Sequence, residues 1–244
     1  MLEGSSMHTF SSKNEAKEHI AHDINTLLTN LHKTQQPFLL LLSGGSVFTI
    51  LESLSDENFS DNATITVLDE RYSTDPAVNN MAQLQQTAFY TRVNAKNTAV
   101  IDTTVRPTET KEALATRFDQ ALLGWRQHNP EGKIVAILGI GPDGHTSGML
   151  PFPEDAELFV KLFENPERLV TAYDADGKNP YRYRATTTNI FLRDYIDHAF
   201  VYAVGENKKE ALVSIFSEEG DLPTTPARIL REMKKVDLYT DITL

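Results

Sequence analysis

Asp143 and His145 stand two residues apart in the run Gly139-Ile140-Gly141-Pro142-Asp143-Gly144-His145-Thr146. In extended backbone, side chains at i and i+2 project to the same side, so a carboxylate and an imidazole are offered together. Imidazole exchanges protons near neutral pH, and a carboxylate beside it can orient it or stabilise its protonated form. The pairing fits general acid–base chemistry on a bound substrate. The other reading is a tight loop in which Asp143 forms a turn and His145 is a surface residue. Gly139, Gly141 and Gly144 also match the dinucleotide pattern G-x-G-x-x-G. The context that pattern needs is missing. Pro151 and Pro153 stand where a long helix should open, and no second strand ending in an acid follows at about 20 residues.

Other clusters offer charge and hydrogen-bond donors. Ser43, Gly44, Gly45 and Ser46 follow an apolar run and precede a helical pattern. That layout suits an anion cradle, with backbone amides, serine hydroxyls and a helix N-terminus as donors. The G-K-[ST] ending of a nucleotide P-loop is absent, and Ser43 acting only as a helix cap is the competing reading. Asp69, Glu70 and Arg71 follow a second apolar run. Three charges there are costly unless paired or used. Arg71 suits a carboxylate, a phosphate or an oxyanion, unless it pairs internally with Glu70. Arg182 and Arg184 lie two apart in a strand-like stretch over 181–188. Lys208 and Lys209 sit near the start of a helix over 207–216, where cations oppose the helix dipole, which points to a ligand anion. His19 and His22, three apart on a helix, have no third ligand in sight and are expected to face solvent. A covalent serine mechanism is disfavoured, because Gly144-His145-Thr146-Ser147-Gly148 places its serine one position late for a nucleophile elbow. No H-E-x-x-H zinc motif occurs.

The elements that must position these residues alternate. Continuous or β-branched apolar runs predict strands over 38–42, 64–68, 98–101, 134–138, 168–173, 199–204 and 236–239. Helical periodicity predicts helices over 14–32, 47–54, 81–89, 109–127, 155–163 and 207–216. Residues 72–80 and 174–180 read as loops and 223–225 as a turn. Such alternation argues for an α/β fold with a mainly parallel sheet covered on both faces. The Ser/Gly loop, the charged corner and the Gly/Asp/His loop all follow strands, so they can converge on one edge of the sheet.

The 244 residues suffice for one large α/β domain or two small ones. A hydrophobic fraction of 40% and a charged fraction of 23% describe an ordinary globular chain. The net charge of −11 argues against a general nucleic-acid surface. With no cysteine, disulfides, thiolate metal sites and cysteine nucleophiles are excluded. No apolar run approaches the ~18 residues of a membrane span. Residues 1–6 carry no signal-peptide pattern and read as a vector-derived scar before Met7.

Taken in order, Leu42 to Ser46, Asp69 to Arg71, Gly139 to Thr146 and Gly205-Glu206-Asn207-Lys208 resemble the motifs of the 6-phosphogluconolactonases and their relatives, the glucosamine-6-phosphate deaminases. The resemblance runs over nearly all of residues 8–244. Arg71 stands where the deaminases usually carry tyrosine, and Leu150, five residues after the loop histidine, where they place a glutamate. Both positions favour the lactonase branch. Asn79, Gly148, Ala185 and Thr187 depart from the usual lactonase pattern, which bears on the shape of the sugar pocket more than on the chemistry. The resemblance implies a single Rossmann-like α/β domain over 7–244, of the sugar-phosphate isomerase/deaminase kind. It implies hydrolysis of a sugar phosphate lactone in the cytoplasm, with no cofactor, metal, nucleic acid or membrane. His145, Asp143 and Arg71 would be catalytic. Ser43, Gly44, Gly45, Ser46, Asp69, Arg184 and Lys208 would hold the substrate and its phosphate. An amino-sugar phosphate deaminase or isomerase, or a non-catalytic sugar-phosphate sensor, are the alternatives. Retention of both Asp143 and His145 speaks against the sensor.

Overall fold

The computed structural model describes residues 6–244. The scar reading therefore lies, for residues 1–5, outside the described residues, and Ser6 opens the first strand. The strands are β1 (Ser6–Thr9), β2 (Phe38–Leu42), β3 (Ala63–Val67), β4 (Asp69–Arg71), β5 (Ala99–Val100), β6 (Lys133–Gly139), β7 (Val170–Asp174), β8 (Tyr183–Thr187), β9 (His198–Tyr202) and β10 (Val236–Thr240). The helices are α1 (Lys13–Lys33), α2 (Phe48–Leu51), α3 (Asn80–Gln85), α4 (Ala88–Asn94), α5 (Lys111–His128), α6 (Ala156–Phe163), α7 (Asn189–Asp194) and α8 (Lys209–Phe216).

Seven strands form one parallel sheet in the order β1-β10-β9-β6-β2-β3-β5. Strand β2 reads Phe-Leu-Leu-Leu-Leu and is buried along its whole length, as expected where helices cover both faces. Its side chains alternate between two cores. Leu40 and Leu42 pack with Ile20, Ile24 and Leu28 of α1 on one face. Leu39 and Leu41 pack with Leu114, Phe118 and Leu122 of α5 on the other. Truncating any of these leucines to alanine should cost about 2–5 kcal/mol. Helix α1 starts where Ser12 accepts the Glu15 amide, and its inward stripe Ile20-Ile24-Leu28-Leu31 matches the predicted spacing. His19 and His22 are exposed on its outer face, with the His19 ring stacked on Phe10.

From β2 the chain builds outward through β3 and β5. It then returns to β6, on the other side of β2, and builds the opposite way through β9 and β10. The reversal falls between β2 and β6, so the loops leaving their carboxyl ends lie side by side. The Ser43 amide donates to Ile137 O across this crevice at 2.9 Å. Such a reversal is where open α/β sheets bind ligands.

Several expectations are corrected. The Asp-Glu-Arg corner is a strand, β4, and pairs antiparallel with β8, which pairs with β7, in a separate three-stranded sheet. Strand-like sequence over 168–173 and 181–188 thus belongs to this second sheet. The helix expected over 47–54 is a 3₁₀ turn, Gly45–Val47, followed by the single turn α2. The helix expected over 81–89 divides into α3 and α4, because Thr87 caps a new helix by accepting the Tyr90 amide. The short helix α7 and a 3₁₀ segment at Pro226–Arg231 have no counterpart in the sequence reading.

Candidate functional site

The loop after β6 is a closed turn rather than extended backbone. The Gly141 amide donates to His145 O at 2.8 Å and the Gly144 amide to Gly141 O at 3.0 Å. Thr146 Oγ1 ties the loop back to Gly139 O at 2.8 Å. Within it, His145 Nδ1 and Asp143 Oδ1 are 2.5 Å apart, and the His145 amide also reaches Asp143 Oδ1 at 3.2 Å. A β-carbon at Gly141 would collide with the His145 ring and the Asp143 carboxylate, so this position must be glycine for the pair to form. Burial pushes the Asp143 carboxyl up, but the hydrogen bond and charge of His145 outweigh it and hold the group below the ordinary carboxylate range. With Nδ1 engaged by Asp143, Nε2 is the nitrogen left for a substrate or water. The Pro226–Arg231 segment supports the loop from beneath, the Ala227 amide donating to Gly144 O at 2.9 Å. Ser147 is buried, its hydroxyl 2.7 Å from Thr187 Oγ1, which ties it into structure rather than offering a nucleophile.

The loop after β2 faces this one. As the first residues of a helical turn, Gly45 and Ser46 have amides with no intrahelical acceptor. Gly45 takes φ of +68°, which lets the backbone turn there. Gly44 is pressed against Asn80, so that a β-carbon would stand 2.5 Å from Asn80 Oδ1.

The charged segment β4 divides its three side chains among different partners. Asp69 Oδ2 accepts from Arg184 Nη2 at 2.9 Å, in a buried ion pair. Glu70 makes no ion pair with the Arg71 guanidinium. It is fully buried and accepts the amides of Arg71 at 2.9 Å, Asn80 at 2.5 Å and Met81 at 3.0 Å, and the Thr103 hydroxyl at 2.9 Å. Burial pushes its carboxyl up to about 8, against the lowering effect of these donors. Arg71 lies at the rim of the cavity with its guanidinium 4.2 Å from the centre of the Tyr181 ring.

These segments enclose a cavity of about 190 Å³. Its lining includes Ser43, Gly44, Gly45 and Ser46 from the loop after β2, Gly141 and His145 from the loop after β6, and Asp69, Arg71, Arg184 and Lys208. Asp143 stands behind His145 as its hydrogen-bond partner. Lys208 enters from a 3₁₀ turn, Glu206–Lys208, that precedes α8. Burial pulls its ammonium down from the ordinary value, against the attraction of Asp143. Lys209 points elsewhere and pairs with Glu206 at 3.4 Å. The sequence reading did not single out Asn80. It is buried, donates to Asp69 O at 2.9 Å and lines the cavity. Its sequence signal is its place in the Asn79-Asn80 pair, which stands where the lactonases usually carry Ser-Asn. Four buried polar atoms of the lining have no partner within the protein: Ser43 Oγ, Asn80 Oδ1, Arg71 Nε and Arg184 Nε. Buried polar groups are rarely left so, and their convergence here marks a surface built for a polar ligand.

The chain matches the family of glucosamine-6-phosphate isomerases/6-phosphogluconolactonase over residues 11–239, and belongs to it. It is 28% identical to a 6-phosphogluconolactonase of Nostoc sp. over 223 residues, covering 87% of this chain and 86% of that protein. It is 26% identical to a 6-phosphogluconolactonase of Rhizobium meliloti, covering 92% of each. The crystal structure of a 6-phosphogluconolactonase from Shewanella baltica shares the fold with a TM-score of 0.77 at 21% identity, covering 98% of this chain and 99% of that one.

Proposed function

We propose that this protein hydrolyses 6-phospho-D-glucono-1,5-lactone to 6-phosphogluconate, the lactonase step in the oxidative branch of the pentose phosphate pathway, with His145 as general base. The observation that carries this is the 2.5 Å Asp143–His145 contact at a cavity that the Ser43–Ser46 loop also lines. Lactonase relatives covering most of both chains support it. His145 Nε2 takes a proton from water as the water oxygen bonds to the lactone carbonyl carbon. Asp143 holds the Nδ1–H tautomer and stabilises the imidazolium. Arg71 meets the charge that develops on the carbonyl oxygen. The ring C–O bond then breaks, and the imidazolium returns its proton to the leaving ring oxygen. The phosphate binds the amides and hydroxyls of Ser43, Gly44, Gly45 and Ser46, with Arg184 and Lys208 supplying charge and Asp69 holding Arg184 in place. Anchoring there orients the distant carbonyl. The protein acts in the cytoplasm on this small molecule, without cofactor or metal.

The deaminase alternative finds no support at Leu150, which is packed in the apolar core and has no carboxylate to offer. A direct test is coupled or pH-stat hydrolysis of freshly made 6-phosphoglucono-δ-lactone, corrected for spontaneous opening, beside ammonia release from glucosamine 6-phosphate. Lactone turnover without ammonia is the expected result. Ammonia release at a rival rate would overturn it.

A further inference from the structure

Arg71 is held differently from the other cation on its strand pair. In the antiparallel register of β4 and β8, Arg71 lies opposite Arg184. Two like charges placed directly across a ladder repel. Arg184 is neutralised by Asp69. Glu70, the acid next to Arg71 in sequence, is taken up by three backbone amides and Thr103. Among the described residues no ion pair involves Arg71, and its buried Nε has no acceptor. The group its guanidinium does meet is the Tyr181 ring, 4.2 Å from ring centre to Cζ.

A carboxylate would hold Arg71 by occupying its N–H edges and cancelling its charge. An aromatic face attracts the cation through the ring quadrupole and leaves the in-plane donors free for a ligand. Tyr181 is itself anchored. Its neighbour Arg182 makes paired bonds to Asp174, Nε to Oδ1 and Nη2 to Oδ2, each 2.8 Å. The Tyr181 amide donates to Asn179 Oδ1 at 3.0 Å, and the Tyr72 amide to Tyr183 O at 2.9 Å. Arg71 also borders a second surface pocket shared with Tyr72, Val78 and Tyr181. Without the ring, its side chain has room to leave the reaction cavity.

We propose that Tyr181 is the positioning residue for Arg71, holding the guanidinium at the cavity rim by its ring face while leaving charge and donors available to the substrate. This rests on the reading of Arg71 as the group that meets the developing oxyanion.

The test is steady-state hydrolysis of 6-phosphoglucono-δ-lactone by Tyr181→Phe and Tyr181→Leu, and by Tyr181→Leu combined with Arg71→Ala. Tyr181 is 37% exposed, so truncation leaves the fold intact, which a circular-dichroism melt checks. Tyr181→Phe keeps the ring and should stay within about twofold of the parent, while Tyr181→Leu should lose about three- to thirtyfold in kcat with KM little changed. In the Arg71→Ala background, the leucine substitution should add nothing. Equal losses in the phenylalanine and leucine variants would overturn the proposal, as would parental kcat in Tyr181→Leu or a full additive loss beside Arg71→Ala. A large Arg71→Ala defect with an unaffected Tyr181→Leu sinks this inference alone. Parental kcat in Arg71→Ala sinks the oxyanion reading, and this inference with it.

Discussion

Two regions of the cavity lining differ: Asp143 and His145 share a single loop and meet through one 2.5 Å contact. The rest of the lining comes from separate segments: Ser43 to Ser46 offer amides, and the cations Arg184 and Lys208 arrive from β8 and from the turn before α8. Arg184 is held there by Asp69, 115 residues earlier in the chain. The first region is local and rests on two side chains. The second is assembled across the sequence and spreads its hydrogen bonds over many groups. Damage to the first should fall on chemistry, and damage to the second on binding.

The largest effect belongs to the local pair. His145→Asn should lower kcat about 10²–10⁴-fold, with KM little changed and the thermal melt intact. Parental kcat in that variant would make His145 structural. Asp143 is ionised beside it, since its carboxyl is held below the ordinary range.

Among the assembled groups, Lys208→Met removes one charged donor. It should lower kcat/KM about ten- to a hundredfold, mostly through KM, and narrow the preference for phosphorylated over unphosphorylated lactone. Lys209→Met removes an exposed pair with Glu206 and should change kcat/KM by less than about twofold. Equal losses at the two lysines would erase the distinction between them.

Asp143→Asn should give a smaller loss than His145→Asn, about tenfold in kcat, the scale of one hydrogen bond to a charged group. A loss as large as that of His145→Asn would mean that the pair acts as a single unit.

The smallest effect on turnover is expected behind the site. Glu70→Gln turns an amide group toward two donors and should cost about 1–3 kcal/mol in urea melts. The pH dependence has a definite sign. The Glu70 carboxyl is raised from 4.5 to about 8 on folding, so the folded state holds a proton that the unfolded state releases between those values. Its contribution to stability is complete below about 4.5 and is lost as pH rises toward about 8. Melts of the parent at pH 5 and pH 8 should show this loss, and the glutamine variant should flatten it.

Much of the frame was legible because its signals are local. The run Phe38 to Leu42 reads as a buried strand and is one. The stripe Ile20-Ile24-Leu28 places α1 within a residue of its expected ends. The second sheet was not legible. Strand β4 has only three residues, all charged, and charge at a strand end suggests a corner. It becomes a strand because β8 supplies its hydrogen bonds, with Asp69, Glu70 and Arg71 opposite Thr186, Ala185 and Arg184. Thr87 divided a helix that periodicity read as continuous, because its hydroxyl caps the second half.

The sequence by itself determined the α/β alternation, the glycine loops at strand ends and the close approach of Asp143 to His145, all of which depend on neighbours a few residues apart. Only the tertiary structure decided which charge meets which. Asp69 and Glu70 are adjacent acids. One neutralises Arg184 across the small sheet, and the other is buried against the start of α3. Arg71, beside them, is left to the Tyr181 ring. Residue type cannot separate such neighbours. Their roles follow from which long-range partner desolvates each group and which supplies its hydrogen bonds, and packing alone sets that.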